Sequence, residues 1–186
     1  MSQPVLIAFV SHHGQTARIA HRIGARLAAQ ALAVDVVDLR ARACTPAGVR
    51  AVMIGAPVRY GRHDKALRRW VGQHRAALNA LPSAFFSVSL VAASARPEDR
   101  DTAQALIESF ARETGWTPDL AQSVAGALRY RQYNLLLRLL MRRIARQSGG
   151  PTDTSVDHDL TDWATVDALA DAFAAQCAAP SGPAKP

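Results

Sequence analysis

The residues best suited to chemistry follow the first apolar run of the chain. Residues 5–10 are all apolar, and the next six are Ser11, His12, His13, Gly14, Gln15 and Thr16, called the phosphate loop below. A helical pattern starts directly after them. Unpaired N–H groups at a helix N-terminus carry partial positive charge, so a phosphate can bind there with the Ser11 and Thr16 hydroxyls as further partners. An unliganded strand–loop–helix turn is an equally ordinary interpretation.

The composition of this loop indicates which phosphate it suits. The GxGxxG pattern of dinucleotide-binding domains is absent, since Gly14 is the single glycine in the turn. Hydroxyl side chains on both sides of Gly14 favour one terminal phosphate over a pyrophosphate, which needs close backbone approach. Flavin mononucleotide (FMN) has such a phosphate. Tyr60, after the third apolar run, is a candidate for stacking on the flavin ring, although an exposed loop tyrosine explains it equally well.

Apolar runs and helical repeats alternate along the chain and must position these residues. We predict five strands, at residues 5–10, 34–39, 51–55, 85–91 and 123–128, and a loop over 56–61. Asp64 is predicted to cap the second helix and Gly115 to end the third. The alternation predicts an α/β fold with a parallel sheet covered by helices on both sides. Loops at 11–16, 57–61 and 87–95 should meet beyond the carboxyl ends of the strands.

Length and composition predict a single domain over residues 1–178 with a disordered tail at 179–186. The N-terminus does not resemble a signal peptide and no apolar run is long enough to span a bilayer, so we expect a cytoplasmic protein with at most peripheral membrane contact. Cys44 and Cys177 are far apart, and the six histidines are scattered. We therefore expect neither a disulfide nor a metal site.

Positive charge is concentrated in one segment. Residues 120–152 contain no Asp or Glu but six arginines: Arg129, Arg131, Arg138, Arg142, Arg143 and Arg146. The rest of the chain is almost neutral, so these arginines predict a local anionic partner, such as a lipid surface or an acidic ligand.

The same segment also lengthens the chain between the fifth strand and the last helix. About thirty residues separate them, where ~2–6 are usual for a βα loop. We interpret residues 129–154 as a basic amphipathic insertion. A helical projection places one apolar set on a common arc: Tyr133, Leu136, Leu137, Leu140, Met141 and Ile144. Most of the arginines fall opposite, with Leu135 and Leu139 among them. This pattern suits a helix in the headgroup region of a bilayer or above a large apolar anion, and a core-packing helix is the alternative.

Six groups of residues together resemble a known family. They are His13–Thr16, Ile54–Ala56 with Arg59–Gly61, Pro82–Val88, Ala125–Tyr130, Ser148–Thr154 and Thr161–Trp163. Over nearly its full length the chain resembles the flavodoxin-like, menaquinone-dependent protoporphyrinogen IX dehydrogenases of bacterial haem synthesis. The last three groups are the most specific, because they flank the basic insertion.

The resemblance implies a flavodoxin-like three-layer sandwich with strand order 2-1-3-4-5. It also implies an FMN enzyme that oxidises protoporphyrinogen IX and reduces a membrane quinone, menaquinone or ubiquinone, at an anionic surface on the cytoplasmic side of the inner membrane. The six arginines would contact substrate or membrane. The implied FMN residues are the phosphate loop, Arg59 and Tyr60; then Phe85, Phe86, Ser87, Val88, Ser89, Leu90 and Val91; and finally Gly149, Gly150, Thr152, Asp153 and Thr154.

One departure from the family pattern concerns the phosphate loop. His12 and His13 stand where family members tend to have Arg-Asp, which predicts an altered, pH-sensitive FMN affinity. No catalytic acid or base can be assigned from the sequence.

Two other redox functions stay open on the sequence alone. A flavodoxin-type electron carrier would share the fold and cofactor, but such carriers tend to be acidic and to lack a basic insertion. A soluble NAD(P)H:quinone reductase is the second. Nucleic-acid binding is disfavoured, because only Tyr130 and Tyr133 are interleaved with the arginines. A homo-oligomer is compatible with the sequence.

Overall fold

The computed structural model describes residues 3–94, 96–147 and 150–178. The strands are β1 (Val5–Phe9), β2 (Val34–Asp38), β3 (Ala51–Arg59), β4 (Arg62–His63), β5 (Ser83–Ser89), β6 (Leu120–Ala125), β7 (Ala127–Leu128) and β8 (His158–Asp159). The α-helices are α1 (Gln15–Ala29), α2 (Lys65–Asn79), α3 (Pro97–Thr114), α4 (Leu135–Gln147) and α5 (Trp163–Ala178). Short 3₁₀ turns occupy Val91–Ala93 and Tyr130–Gln132.

Five parallel strands form the main sheet in the order β2-β1-β3-β5-β6. The two-residue strand β4 pairs antiparallel with the end of β3. Because β4 lies off the main path, this order is the predicted 2-1-3-4-5, and the predicted fold is confirmed. β1, β3 and β5 therefore end at the same edge of the sheet, the carboxyl edge.

Two hydrophobic clusters hold the helices against the two faces of the sheet. On one face α1 and α5 pack on β1, with Ile19, Ile23 and Phe173 fully buried. On the other face α2 and α3 contribute Leu67 and Phe110. The central strands are buried on both faces, as the continuous apolar runs predict for a parallel sheet covered by helices.

Gly55 of β3 must lack a side chain, because the Phe86 ring of the neighbouring strand β5 lies against it. A Cβ placed there would lie 2.1 Å from Cζ of Phe86 on β5. The aromatic ring occupies the space that any larger residue at position 55 would need.

The third strand is longer than predicted. The predicted loop over 56–61 is wrong for residues 56–59, because β3 continues to Arg59, which pairs with Arg62 of β4. Tyr60 (φ 50°) and Gly61 (φ 71°) form the two-residue turn between them. Positive φ at both positions is the signature of a type I′ turn, whose twist matches the flanking strands.

Two further strand boundaries differ from the prediction. The fourth predicted strand, β5, starts at Ser83 and ends at Ser89, where the chain turns into the 3₁₀ segment. The fifth, β6, ends at Ala125, and β7 instead pairs antiparallel with β8. The N–H of Gly126 donates to the Ser89 carbonyl, and the Gly126 carbonyl accepts from Leu160 N–H, so the chain leaves the main sheet at this residue.

The predicted insertion contains α4, which packs against a small cluster of its own. Leu128, Tyr130 and Ala145 are buried there, with Tyr133 and Met141 partly buried around them. Within the described ranges, none of the helices combines the length and apolar character needed to cross a bilayer. The predicted tail at 179–186 lies outside the described residues.

Candidate cofactor site and the basic helix beside it

The phosphate loop lies at the carboxyl edge and leads into α1. Gly14 is the N-cap of α1 with φ 82°, and it supplies no side-chain acceptor. The Ser11 hydroxyl accepts from Ala17 N–H at 3.3 Å, while no acidic residue occupies the first helical turn. The N–H groups of Gln15 and Thr16 are thus the helix donors left for an anion, at the positive end of the helix dipole.

Three side chains from different segments of the chain meet at His12. Its Nε2 lies 2.9 Å from Oδ2 of Asp64, and its Nδ1 lies 3.3 Å from Nη1 of Arg40 and 3.5 Å from Nη1 of Arg59. Arginine can only donate, so Nδ1 accepts and Nε2 carries the proton donated to Asp64. The sequence analysis missed Arg40, whose one signal was its place just after the strand that pairs with β1.

Asp64 joins this cluster to α2. Its carboxylate accepts from the N–H groups of Ala66 and Leu67, which confirms the predicted helix cap. Burial alone would raise the pKa of Asp64, but the hydrogen bonds from His12, Ala66 and Leu67 outweigh it and lower that pKa. The carboxylate is therefore ionised at neutral pH and holds His12 in place.

His13 faces the insertion. Its ring makes an edge contact with Tyr133, with the centroids 5.7 Å apart. Burial lowers the pKa of His13 and nearby Arg59 lowers it further, against the opposing effect of a hydrogen bond from the His13 ring to the Gln132 side chain. His13 is therefore neutral at pH 7. The predicted pH-sensitive FMN affinity stays a prediction.

The side chain of Gln15 is fully engaged within the protein. It is 6% exposed, and its Nε2 donates to Asp159 Oδ1 at 2.8 Å and to Thr161 Oγ1 at 2.6 Å. Its Oε1 accepts from Arg18 at 3.1 Å and from Arg129 at 2.9 Å. Gln15 can therefore offer a phosphate only its backbone N–H, while its side chain ties the phosphate loop to β8 and the insertion.

The turn after β3 presents Tyr60 at the surface. Tyr60 is 83% exposed, and the Arg59 guanidinium lies 5.6 Å from its ring centroid. The ring is therefore accessible, as both predicted interpretations of Tyr60 require, and flavin stacking stays a prediction.

The predicted flavin contacts of Phe85 and Phe86 are wrong. Both side chains are completely buried between the helical layers, and Phe85 stacks on Phe110 with centroids 4.5 Å apart. The reason is that β5 is a central strand buried on both faces. The buried Ser87 and Val88 lie on the same strand, and Ser87 is bonded to His63 at 2.9 Å.

The end of β5 has more access. The buried Ser89 uses its hydroxyl to accept from Ala92 N–H, and Leu90 and Val91 are half-buried. Leu90 and Val91 are thus the part of this predicted flavin segment that can reach a ligand.

The segment predicted to close over the flavin contacts the insertion. Gly150 N–H donates to the Ala145 carbonyl at 2.7 Å, and His158 Nε2 lies 2.8 Å from the Asp153 carbonyl. Thr152 and Thr154 are half-buried. Gly149 lies outside the described residues. The closing role of this segment stays a prediction.

The arginines of the insertion divide into two groups. Arg138 donates to the carbonyls of Tyr130 and Tyr133 at 3.0 and 3.3 Å, and Arg129 lies 3.7 Å from Asp157. These contacts engage both guanidinium groups within the protein, and the predicted role of the two arginines toward substrate or membrane stays a prediction. Four others are exposed and have no carboxylate partner in the part of the chain that the structure describes: Arg131, Arg142, Arg143 and Arg146.

Leucines on α4 lie beside those free arginines. Leu135, Leu136, Leu139 and Leu140 are 72%, 79%, 55% and 49% exposed. The predicted single apolar arc is therefore only partly right, since Tyr133 and Met141 turn inward while Leu136 and Leu140 turn outward. These four leucines and the exposed Arg142, Arg143 and Arg146 form a surface of α4 that is called the α4 face below.

Comparisons with known proteins agree with this architecture. A family model described as flavodoxin domain matches residues 6–155. A flavodoxin from the domain Archaea superposes with a TM-score of 0.54 at 17% identity, covering 94% of this chain and 99% of its own. Oxidised flavodoxin 2 from Bacillus cereus gives 0.55 at 17% identity, covering 93% and 99%. Fold and site thus define a flavodoxin-type FMN-binding domain.

Curated relatives narrow the class. A protoporphyrinogen IX dehydrogenase (quinone) of Leishmania major is 36% identical over 178 residues, covering 94% of this chain and 76% of the relative. The enzyme of that name from Escherichia coli K12 is 36% identical over 163 residues, covering 87% and 89%. The chain belongs to this family of flavodoxin-like oxidoreductases and binds FMN. The uncapped, acid-free start of α1 fits the FMN phosphate.

Proposed function

We propose that this protein oxidises protoporphyrinogen IX to protoporphyrin IX and passes the electrons to a membrane quinone, as a step of haem synthesis. The names of its relatives supply the reaction. The α4 face carries the proposal, because a soluble electron carrier has no use for four exposed leucines beside unpaired arginines. When bound, FMN supplies two-electron redox chemistry between the two substrates.

The chain contributes position and a suitable surface for both substrates. A porphyrinogen is a large apolar macrocycle with two propionates, which leucine and arginine side chains complement. Tyr133 lies two residues before α4 and contacts His13 of the phosphate loop, so the α4 face begins beside the candidate cofactor site. An apolar anionic substrate held there would lie beside the flavin site.

A quinone dissolved in the bilayer requires the enzyme to come to the membrane. An amphipathic helix with leucines on its surface and basic neighbours binds the interface of anionic membranes. We propose that α4 docks in this way and that the protein is peripheral on the cytoplasmic side of the cell membrane. Each arginine near such a surface contributes about 1 kcal/mol.

The decisive test of the reaction is an anaerobic assay of the FMN-loaded protein. We expect protoporphyrinogen IX and a menaquinone analogue to give porphyrin fluorescence faster than the non-enzymatic rate. A rate no higher than that of free FMN contradicts the proposal. Rapid flavin bleaching by NADPH without porphyrinogen oxidation would instead identify an NAD(P)H:quinone reductase.

The membrane part is tested by vesicle sedimentation. We expect the double variant R142E/R143E to lose binding to vesicles containing phosphatidylglycerol while keeping FMN. The matched control is R100E/R112E, an equal charge reversal at exposed positions of α3. Equal binding by wild type and R142E/R143E, or equal loss by both variants, rules out docking through α4.

A further inference from the structure

Two arginines at the phosphate loop are arranged unlike their neighbours. On α1, three arginines each pair with an aspartate near the C-terminus: Arg18 with Asp159, Arg22 with Asp167 and Arg26 with Asp171. Arg40 and Arg59 have no carboxylate partner among the residues described, yet both Nη1 atoms lie within 3.5 Å of one nitrogen of His12.

The carboxylate that is bonded to His12 does not neutralise these two charges directly. Asp64 binds the opposite nitrogen of the His12 ring, so the imidazole stands between it and both guanidinium groups. Two positive charges brought to one acceptor repel each other, and an anion between them would reverse the sign of the interaction. That anion has to come from outside the described chain.

Arg40 is fixed to the phosphate loop itself. Its Nη1 donates to the Ser11 carbonyl at 3.0 Å, and Ser11 is the first residue of the loop. A guanidinium carries five N–H donors, and the contacts to Ser11 and His12 use only Nη1. The Nη2 and Nε donors are left for a ligand at the same loop.

We infer that Arg40 and Arg59 bind the phosphate dianion of FMN, as a cationic clamp added to the N–H groups of α1. Arg40 belongs to the loop after β2, and its place directly after that strand was its one sequence signal. The inference depends on FMN binding and not on the identity of the electron donor. A substrate carboxylate has related chemistry, but the bond from Arg40 to Ser11 favours the phosphate.

The test compares FMN with riboflavin, which lacks the phosphate. Apoprotein of the full chain is titrated with each flavin, and quenching of flavin fluorescence gives the Kd. We expect R40Q to weaken FMN binding about tenfold to a hundredfold, because a charge-assisted bond is lost. Riboflavin binding should change less than twofold. Added KCl should weaken FMN binding to wild type more than to R40Q.

The matched control is R42Q. Arg42 lies two residues further along the same loop and pairs with Asp35 at 2.5 Å, so its replacement removes the same charge without touching the site. It should leave both Kd values unchanged. R40K keeps the charge but not the planar fork, and we expect it to lie between wild type and R40Q. If R40Q fails to fold, R40K and the salt series decide the question.

Three results would overturn the inference. R40Q could weaken FMN and riboflavin equally, which would make Arg40 a structural residue. It could leave both unchanged. R40Q could also leave the Kd values of both flavins unchanged while the FMN-loaded variant no longer binds protoporphyrin IX more tightly than its dimethyl ester. That result would assign Arg40 to a substrate carboxylate.

Discussion

The phosphate loop and the α4 face are neighbours, but their side chains differ in where they make contacts. Around the loop, side chains are committed inward: Gln15 bonds Asp159 and Thr161, and His12 bonds Asp64. On α4 few side chains pack against the rest of the protein, and the four leucines and most of the arginines are exposed to solvent. Rigid polar contacts suit a cofactor that must be held in one place. An exposed apolar face suits partners that bind transiently.

The largest effect expected from this difference is in the sheet that supports the loop. Gly55→Val should lower the free energy of unfolding by about 3 kcal/mol or more, because its Cβ would overlap Phe86. Urea unfolding at pH 7 measures it. The control is Gly72→Ala on α2, where the nearest atom is 3.8 Å away, and it should be neutral or slightly stabilising. A stable Gly55→Val protein would mean that β3 and β5 are not packed as described.

The second effect concerns His63, which lies in the core below the turn at Tyr60. Burial lowers the pKa of His63 from 6.5 to about 4. Between pH 6.5 and pH 4, His63 is therefore protonated in the unfolded chain but neutral in the folded protein, so the free energy of unfolding decreases as the pH is lowered. The loss amounts to about 3 kcal/mol between pH 7 and pH 4.

Urea unfolding across this pH range separates His63 from the carboxylates. In His63→Gln the amide can still bond the Ser87 hydroxyl, and we expect the slope between pH 6.5 and pH 4 to flatten. Carboxylates with lowered pKa, such as Asp64 and Asp159, titrate mainly below that range in both proteins. An unchanged slope in the variant would show that His63 is not the group responsible.

The third effect tests whether the two regions are linked. Gln15→Leu removes the bridge between the phosphate loop and β8, leaving Asp159 and Arg129 with fewer partners. We expect about 2 kcal/mol lower stability and faster amide exchange in β7 and β8. Gln104→Leu, at an exposed position on α3, is the control. Unchanged exchange in β7 and β8 would separate the loop from the insertion.

The sequence was sufficient for the sheet order and for the caps at Asp64 and Gly115, because apolar period and capping residues are local signals. It also placed residues 11–16 between β1 and the start of α1, as the structure has them. It failed where a contact joins distant segments: Arg40 and Asp159 reach the loop only through the fold. Phe85 and Phe86 were misassigned because a strand that is buried on both faces has the same apolar sequence as a strand that lines a ligand pocket. The internal contacts of Arg138 could not be predicted, because its partners are backbone carbonyls, which leave no trace in the pattern of side-chain charge.

The smallest effect is expected on α4, within one helix. Leu136→Gln should change the free energy of unfolding by less than about 0.5 kcal/mol, since this side chain is 79% exposed. Met141→Gln, of similar size, should cost about 1 kcal/mol or more, since Met141 packs on the cluster around Tyr130. The order should reverse for vesicle binding, where Leu136→Gln weakens association and Met141→Gln does not. Equal costs in unfolding would mean that Leu136 is covered within the protein, and the α4 face would then be part of its core.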